Sequence, residues 1–416
     1  MRVRRPLAVS ATLTAIVIGA GIGALQQSVT GRAAASTDPA TLRTLRYLQS
    51  QAGTDGSLAS SAGATEDGVI GFADNGYDPA TLRSSGHPSA IDYLTGRTQS
   101  GTTTTDTAGH TAKLILAVTA AHLDPTAFGG RNLVTTLTGY YSSSTGAYAS
   151  TAASESPNVF SQSFSVLALI AASQTVPAKA LDLLVCARRS DGSYGYAVTA
   201  AATLTSPNCA DTSGDTNSSA IAVQALVAGG RTVDSGTLTW LHSVQQTDAG
   251  FGFDGSGPSD PDSDATVIQA LIAAGQDPAS AGWTKAGHTP PGNLLTFQDS
   301  GGGFTYPGNP GPDAFTTSEV PAALAGRPYG AATTFAPGAT AATPAPTATP
   351  TRNATPVATP TPTATTSASV AAVGPPNTGG GDAELPAVPA VAAAAAALGV
   401  TAAAILWRRR TVPSRR

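Results

Sequence analysis

The sequence predicts an all-α fold, an (α/α)6 toroid built from six helix pairs. Alanine-rich apolar stretches of helical length recur between residues 38 and 330, and alanine and leucine are strong helix formers. Each stretch follows a shorter helical segment and a glycine-rich turn that carries an aromatic residue. The units recur at roughly 40 to 57 residues, close to the period of helical-pair repeats.

The fifth unit shows the pattern most completely. Its first helix ends near Val244, the turn covers residues 245–253, and an apolar run over 264–275 predicts the second helix. Asp277-Pro278 stops that helix because proline lacks the N–H that a helix needs. In units two, three, four and six the same signals predict second helices over 112–121, 163–172, 219–228 and 318–325.

The second helices are apolar on most faces, whereas the first helices keep charged residues. A helix that is apolar nearly all round is buried by neighbours on several sides. We therefore expect the second helices to form an inner barrel and the first helices an outer ring. A β-propeller would also use glycine-aromatic turns, but no period-2 strands flank the turns here.

The turns carry a resemblance to a known superfamily. The segments 246–253, 298–304 and 191–196 resemble the repeat of squalene and terpene cyclases, protein prenyltransferases and cobalamin carriers. Phenylalanine or tyrosine stands here where the cyclase repeat usually ends in tryptophan. The resemblance implies an α/α toroid over about 290 residues, but it does not choose among the functions that this fold supports.

An acidic cluster between the fifth turn and its second helix is the candidate catalytic motif. Asp262 and Asp264 match the first two acids of the Asp-x-Asp-Asp-Thr motif that class II terpene cyclases use to protonate their substrates, but Ala265 replaces the third. The alternative is that Asp264 caps the helix. Together with Asp260, the spacing also begins an EF-hand loop, but its later positions depart from that pattern.

Several further residues are candidates for ligand binding. Tyr196 and Phe253 are turn aromatics that would either line a ligand mouth or fill gaps between repeats. Gln162 would either belong to an internal hydrogen-bond network or line a central cavity, because buried polar groups need partners. Asp215 and Asp264 would be the two carboxylates of a glycosidase if they lay across one cleft.

The remaining composition excludes some classes of function. Cys186 and Cys209 predict one disulfide in an exported chain. Two cysteines and five scattered histidines do not predict a metal site, and no cofactor is expected. The formal charge is −4 with basic residues at both ends, which argues against nucleic acid as a partner.

Both ends of the chain carry export and anchoring signals. We predict a signal peptide over 1–35, the toroid over 36–330 and a disordered Ala/Thr/Pro-rich linker over 331–385. A transmembrane or sorting-signal helix over 386–407 and a basic cytoplasmic tail over 408–416 follow. The toroid would then lie outside the cell, anchored in the plasma membrane or the cell wall.

A short motif before the last helix bears on the anchor. Pro376, Asn377, Thr378 and Gly379 resemble a sortase sorting motif, with Pro375 in place of its leucine. The sequence thus favours a monomeric cell-surface toroid that binds a small ligand, a glycan or a protein partner without catalysis. The alternatives are a terpene-cyclase-like or carbohydrate-active enzyme that uses Asp262 and Asp264, and a structural cell-wall protein.

Overall fold

The chain folds into a closed ring of helix pairs. A computed structural model describes residues 35–101, 105–199, 204, 209–210 and 213–341. The elements of this part of the chain are helices, and its β-type pairing is confined to isolated bridges. The predicted all-α class is therefore confirmed.

The outer layer consists of the first helix of each pair. These helices are amphipathic, with buried leucines such as Leu45 and Leu48 facing the inner layer. Their lengths vary from 13 residues in α1 to 5 residues in α11, the short first helix of the sixth pair. In chain order they are α1 (Pro39–Gln51), α3 (Ala90–Ser100), α5 (Leu133–Gly139), α7 (Ala178–Ala187), α9 (Ser235–Val244) and α11 (Pro290–Leu294).

The inner layer consists of the second helices, which are buried along most of their length. In chain order they are α2 (Ala62–Asp74), α4 (Ala108–Ala120), α6 (Val159–Ala171), α8 (Thr216–Ala228), α10 (Pro261–Ala273) and the broken pair α12 (Ala314–Ser318) and α13 (Pro321–Leu324). The break precedes Pro321 because proline cannot donate the i→i−4 hydrogen bond.

The inner helices begin several residues before the predicted starts. The first turn of each is rich in small polar residues, whose side chains compete with the backbone outside helices, and the apolar run starts only afterwards. Capping side chains compensate: Asp260 accepts a hydrogen bond from the Ser263 N–H at 2.8 Å. Asp260, and not Asp264, is therefore the N-cap of α10.

The ring closes between its last and first units. Each inner helix packs on the next; α13 packs on both α10 and α2, and α12 packs on α2 and α1. In the outer layer Gln298 of the sixth turn donates to the Ala40 carbonyl and to Thr44 Oγ1 of α1, at 2.9 and 2.7 Å. Arg43 Nη2 donates in return to Gln298 Oε1 at 2.7 Å.

One hydrogen bond recurs in the turns of units one, three, four, five and six. The backbone N–H of the first aromatic residue of the turn, or of Leu58 in the first unit, donates to the side chain of the fourth residue of that unit's inner helix. The acceptors are Thr65, Gln162, Ser219, Asp264 and Thr317, and the donors are Leu58, Tyr148, Tyr194, Phe251 and Phe304. These donors are fully buried between neighbouring units.

We call the ring of inner-helix N-termini the upper mouth and the opposite end the lower mouth. A strap of residues 327–341 crosses the lower mouth. Gln269 Nε2 donates to the Arg327 carbonyl at 2.9 Å, and Gln224 Oε1 accepts from the Tyr329 N–H at 2.9 Å. The strap ends on the Asp78 N–H, which donates to the Ala339 carbonyl at 3.0 Å. The packed chain thus runs past the predicted domain boundary at residue 330.

The middle of the ring is filled by side chains. Tyr329 reaches up from the strap and donates to Asp67 Oδ1 at 3.0 Å. Lys113 donates to Asp67 Oδ2 at 2.6 Å, and both side chains are almost fully buried. Phe164 packs edge-on against the Tyr329 ring, with centroids 5.4 Å apart.

The structure tests the predicted disulfide but not the predicted export and anchoring segments. Cys186 of α7 and Cys209 form the predicted disulfide. No helix in the described part of the chain is long and apolar enough to span a bilayer. The predicted signal peptide, the linker beyond Ala341, the sorting motif at 376–379, the helix at 386–407 and the basic tail lie outside the described residues.

Candidate functional site

The upper mouth is bordered by the caps of the six inner helices. Each cap side chain accepts a hydrogen bond from a backbone N–H three residues later, which satisfies part of the free helix end. The caps are Ser61, Thr107, Asn158, Asp215, Asp260 and Asp313. Half of them are therefore carboxylic acids, and all three lie in the last three units.

The turn aromatics divide into two groups. The first aromatic of each turn is buried between units, while the residue two positions later points to the other side, as in any extended segment. Tyr196 is 49% exposed and Phe253 is half-buried. Their carbonyls accept from Val159 of α6 and Thr216 of α8. Both residues therefore lie at the N-terminus of the inner helix of the preceding unit, on the rim of the upper mouth.

Tyr306 is the corresponding residue of the sixth turn. Burial raises the pKa of Tyr306, and the nearby carboxylates of Asp260 and Asp262 raise it further. Its hydroxyl therefore lies within electrostatic range of both carboxylates. Tyr196 in turn packs near Phe160 of α6, with ring centroids 5.9 Å apart. The second-position aromatics thus form an aromatic rim on one side of the upper mouth.

Asp262 lies beneath that rim and faces the ring axis. It is 2% exposed, and its Oδ1 has no hydrogen-bond partner in the described part of the chain. Burial, reinforced by the charges of Glu319 and Asp260, raises the pKa of Asp262 well above its usual range. A raised pKa favours the protonated form of a carboxyl group, in which it can donate a hydrogen bond.

Asn217 occupies the same position on α8 that Asp262 occupies on α10. It is fully buried, and both its amide oxygen and its amide nitrogen lack partners among the described residues. Unsatisfied buried amides are rare, because each missing bond costs free energy. Asn217 and Asp262 therefore give neighbouring inner helices two unsatisfied polar groups at one level of the ring.

Asp264 points away from this pair. Its Oδ1 accepts from the Phe251 N–H at 2.6 Å and its Oδ2 from Asn293 Nδ2 at 2.8 Å. Residues two apart on a helix do not share a face, so Asp262 and Asp264 cannot both reach the ring axis. The contacts of Asp264 hold the fifth turn against its inner helix.

Gln162 and Asp215 also have contacts within the fold. Gln162 accepts from the Tyr148 N–H and donates to the carbonyls of Gly146 and Ala180, each at 2.9 Å. Asp215 caps α8 through the Ser218 N–H at 2.6 Å. Burial raises the pKa of Asp215 to about 6.

The three acids of the EF-hand-like spacing do not converge. Asp260 caps α10, Asp262 faces the axis and Asp264 faces the sixth unit. In the described part of the chain no group of three or more His, Cys, Asp or Glu side chains is placed to hold a metal ion.

Comparisons with known proteins find similarity in structure only. No protein-family model matches the sequence, and no curated protein matches it. A solved structure that resembles it is the apo type II terpene cyclase MstE from Scytonema, with a TM-score of 0.49 and 13% identity over 68% of this chain and 96% of that one.

Two other solved structures are similar at lower scores. For ent-copalyl diphosphate synthase from Streptomyces platensis the TM-score is 0.43, with 16% identity over 64% of this chain and 49% of that one. For haptocorrin in complex with Cbi the TM-score is 0.42, with 14% identity over 69% of this chain and 66% of that one. At these values the likenesses carry no information about activity, and the toroid is established by the closed ring of inner helices itself.

Proposed function

We propose that this toroid binds a small ligand at its upper mouth and performs no chemistry on it. The observation that carries the proposal is the pair Asn217 and Asp262, which offers unsatisfied hydrogen-bonding atoms below an aromatic rim. A few polar groups among apolar and aromatic side chains are typical of small-molecule sites. The rim is formed by Tyr196, Phe253 and Tyr306.

The chemistry of these groups describes the ligand. The Asn217 amide both donates and accepts, and the Asp262 carboxyl accepts, or donates when it is protonated. The faces of Tyr196 and Phe253 favour an apolar or planar surface. A ligand with hydroxyl or amide groups on an apolar face, such as a glycan or a corrinoid, would suit this combination.

The contacts below the mouth favour binding over catalysis. Asp264, the second acid of the cyclase-like motif, is held by Phe251 and Asn293. At the level of Lys113 and Tyr329 the axis is occupied by side chains. A cyclase needs a cavity that holds a folded polyprenyl chain beside its acid, and this filling would have to open first.

Export to the cell surface is part of the proposal. The Cys186–Cys209 disulfide supports it, because disulfides persist in oxidising compartments. The N-terminal and C-terminal signals of the sequence are the further support.

Native mass spectrometry of the protein purified from its own host tests the binding. We expect a copurified molecule, whose mass distinguishes a lipid, a glycan and a corrinoid. The Tyr196→Ala/Phe253→Ala double variant and Asn217→Leu should lose it. Tyr93→Ala removes an aromatic ring from α3 of the outer layer and should retain it. An empty wild-type protein, or equal occupancy in all variants, would contradict the proposal.

A cyclase-like enzyme is the second candidate, and the raised pKa of the buried Asp262 carboxyl favours it. General acids need a raised pKa to hold their proton at neutral pH. Incubation with geranylgeranyl diphosphate and with 2,3-oxidosqualene, followed by gas chromatography, tests this function. A cyclised product that disappears in Asp262→Asn would replace the binding-only proposal.

A further inference from the structure

A second cavity lies at the opposite end of the ring, beneath the strap. It encloses about 460 Å³ between the C-terminal ends of α2, α4 and α6 and residues 330–333 of the strap. Its walls are partly polar, and their apolar part includes Ile70, Leu116 and Ile170. This volume lies in the lower part of the range of ligand pockets. It suits a molecule of roughly ten to fifteen non-hydrogen atoms.

One carboxyl group lines this cavity without a hydrogen-bond donor for its Oδ2. Asp74, the last residue of α2, is 8% exposed, and that oxygen has no partner in the described ranges. Leaving a buried carboxyl oxygen without a donor costs free energy. Because this oxygen is itself inaccessible from the cavity, a ligand would reduce the cost through a positive charge placed near the carboxyl group.

The surrounding backbone adds to the demand for positive charge. The C-terminal ends of three helices meet at the cavity, and a helix C-terminus carries a partial negative charge. The carbonyl of Ala120, at the end of α4, accepts from Thr333 Oγ1 of the strap at 2.7 Å. A carboxyl group at the end of α2 is itself disfavoured by that helix dipole, and a bound cation would offset both effects.

Three charged or titratable side chains near the cavity bear on Asp74, and none of them donates to its Oδ2. Arg327 lies within electrostatic range of Asp74, but its Nη1 donates to the Ala332 carbonyl at 2.6 Å. Tyr329 also lies within that range, but its hydroxyl donates to Asp67. His122 lies at the rim, where its Nε2 bonds the Thr333 carbonyl at 2.9 Å and its ring stacks on Phe335.

We infer that the lower-mouth cavity is a binding site for a small organic cation, with its charge at Asp74 and its apolar body against Ile70, Leu116 and Ile170. This site is separate from the upper mouth and does not depend on the proposed function there. A quaternary or primary ammonium group on an aliphatic or aromatic body is the chemical class that fits.

The protonation of Asp74 gives the binding a direction with pH. Burial, against the attraction of Arg327, raises the pKa of Asp74 well above its usual range. A permanent cation binds the ionised form of the carboxyl better than the protonated form. The affinity for such a cation should therefore rise as the pH increases through the raised pKa of Asp74.

Calorimetric titration of the full-length protein with benzyltrimethylammonium tests the inference, since this probe keeps its charge at every pH. We expect binding that strengthens as the pH rises and that weakens at least about tenfold, a difference of ~1.4 kcal/mol, in Asp74→Asn. Asp124→Asn is the matched control, because it removes an exposed carboxylate that bonds only Thr126 at the same end of the ring. Its affinity should equal that of the wild type.

Three outcomes would overturn the inference. The first is that the wild type does not bind the cation at millimolar concentration. The second is that the wild type and Asp74→Asn bind it with equal affinity. The third is that the wild type binds the cation and neutral benzyl alcohol with equal affinity. If Asp74→Asn fails to fold, methyl NMR of the wild type decides. The probe should then shift Ile70 and Ile170 and leave Ile268, which lines another cavity, unchanged; unshifted Ile70 and Ile170 would refute the site.

Discussion

The backbone N–H of Phe251 donates a hydrogen bond of 2.6 Å to the carboxyl Oδ1 of Asp264. The same bond joins Phe304 to Thr317 in the sixth unit and Leu58 to Thr65 in the first. An acid that resembles a catalytic residue in the sequence thus occupies the position where other units use threonine. This equivalence can be tested by exchange.

We predict that Asp264→Thr lowers the free energy of unfolding by about 1–2 kcal/mol, because the hydroxyl can accept the Phe251 N–H but the Asn293 amide loses its acceptor. Asp264→Leu should cost about 2–4 kcal/mol, since it leaves the Phe251 N–H and the Asn293 amide buried without partners. Urea denaturation measures both values. Loss of ligand binding in a stable Asp264→Thr protein would show that this carboxyl has a role beyond the turn.

The cap Asp260 predicts a pH-dependent stability. Burial raises the pKa of Asp260 to about 6, so between pH 4 and pH 6 the folded state holds a proton that the unfolded state has lost. Stability from this group is therefore fully present below pH 4 and declines as the pH rises to 6, by on the order of 3 kcal/mol.

Asp260→Asn tests this dependence, because Asn158 already caps α6 in the same way, with its Oδ1 accepting from Ser161 at 2.8 Å. The variant should be more stable than the wild type at pH 7.5 and equal to it at pH 3.5. Thermal denaturation at the two pH values measures the difference. A variant that is less stable at pH 7.5 would show that the ionised cap stabilises the helix.

We predict that the buried ion pair of Lys113 and Asp67 at the ring centre contributes non-additively to the free energy of unfolding. Although burial favours the neutral form, the carboxylates of Asp67 and Glu319 raise the pKa of Lys113, which therefore stays charged at neutral pH. Lys113→Met should cost about 3–5 kcal/mol, because Asp67 would lose its partner in the interior. Lys113→Met/Asp67→Leu should recover much of this loss. A double variant less stable than the single one would contradict that account.

We predict that removing the disulfide lowers the free energy of unfolding by a measurable amount. Cys186 and Cys209 are 23 residues apart, and closing a loop of this size contributes about 3 kcal/mol in the chain-entropy model. The Cys186→Ser/Cys209→Ser variant should lose about that much in guanidinium denaturation. Adding a reductant should destabilise the wild type similarly and leave the double variant unchanged, which controls for effects of the reductant elsewhere.

One turn carries a residue that its backbone disfavours. Ala249 has φ 68°, where the other turns place glycines, such as Gly192 at φ 96°. We predict that Ala249→Gly leaves stability unchanged or raises it by up to about 1 kcal/mol. Gly192→Ala should be strongly destabilising, because its Cβ would lie 2.3 Å from the Gly236 carbonyl oxygen. Differential scanning calorimetry compares the two, and a stabilised Gly192→Ala would be the contrary result.

The sequence was sufficient to predict the helix-pair repeat, because its signals are local. The glycine-aromatic turns and the apolar runs each report on a few neighbouring residues. The starts of the inner helices were predicted too late, since residues such as Thr216 and Asn217 resemble a loop until Asp215 is recognised as their cap.

The candidate site was less predictable, because it depends on which face of each inner helix meets the axis. Asp262 and Asp264 belong to the same acidic motif and are two residues apart on α10. The rotation of α10 about its axis decides that Asp262 faces the ring axis and that Asp264 accepts from the fifth turn. Asn217 carried no motif at all. Tyr329 fell at the C-terminal edge of the predicted toroid with no role assigned to it, and its insertion beside Asp67 is a contact between residues 262 positions apart.

The strap has a mechanical consequence. It is attached near its end by Asp78, whose N–H meets the Ala339 carbonyl and whose Oδ2 accepts from the Gly338 N–H at 2.6 Å. Tension applied at residue 341 would load these bonds before any bond within the ring, and would load them one after another. The strap should therefore peel away first, which exposes Asp74 and withdraws Tyr329 while the helix pairs stay together. Single-molecule pulling from a handle at residue 341 would record this as a short extension before the ring unfolds.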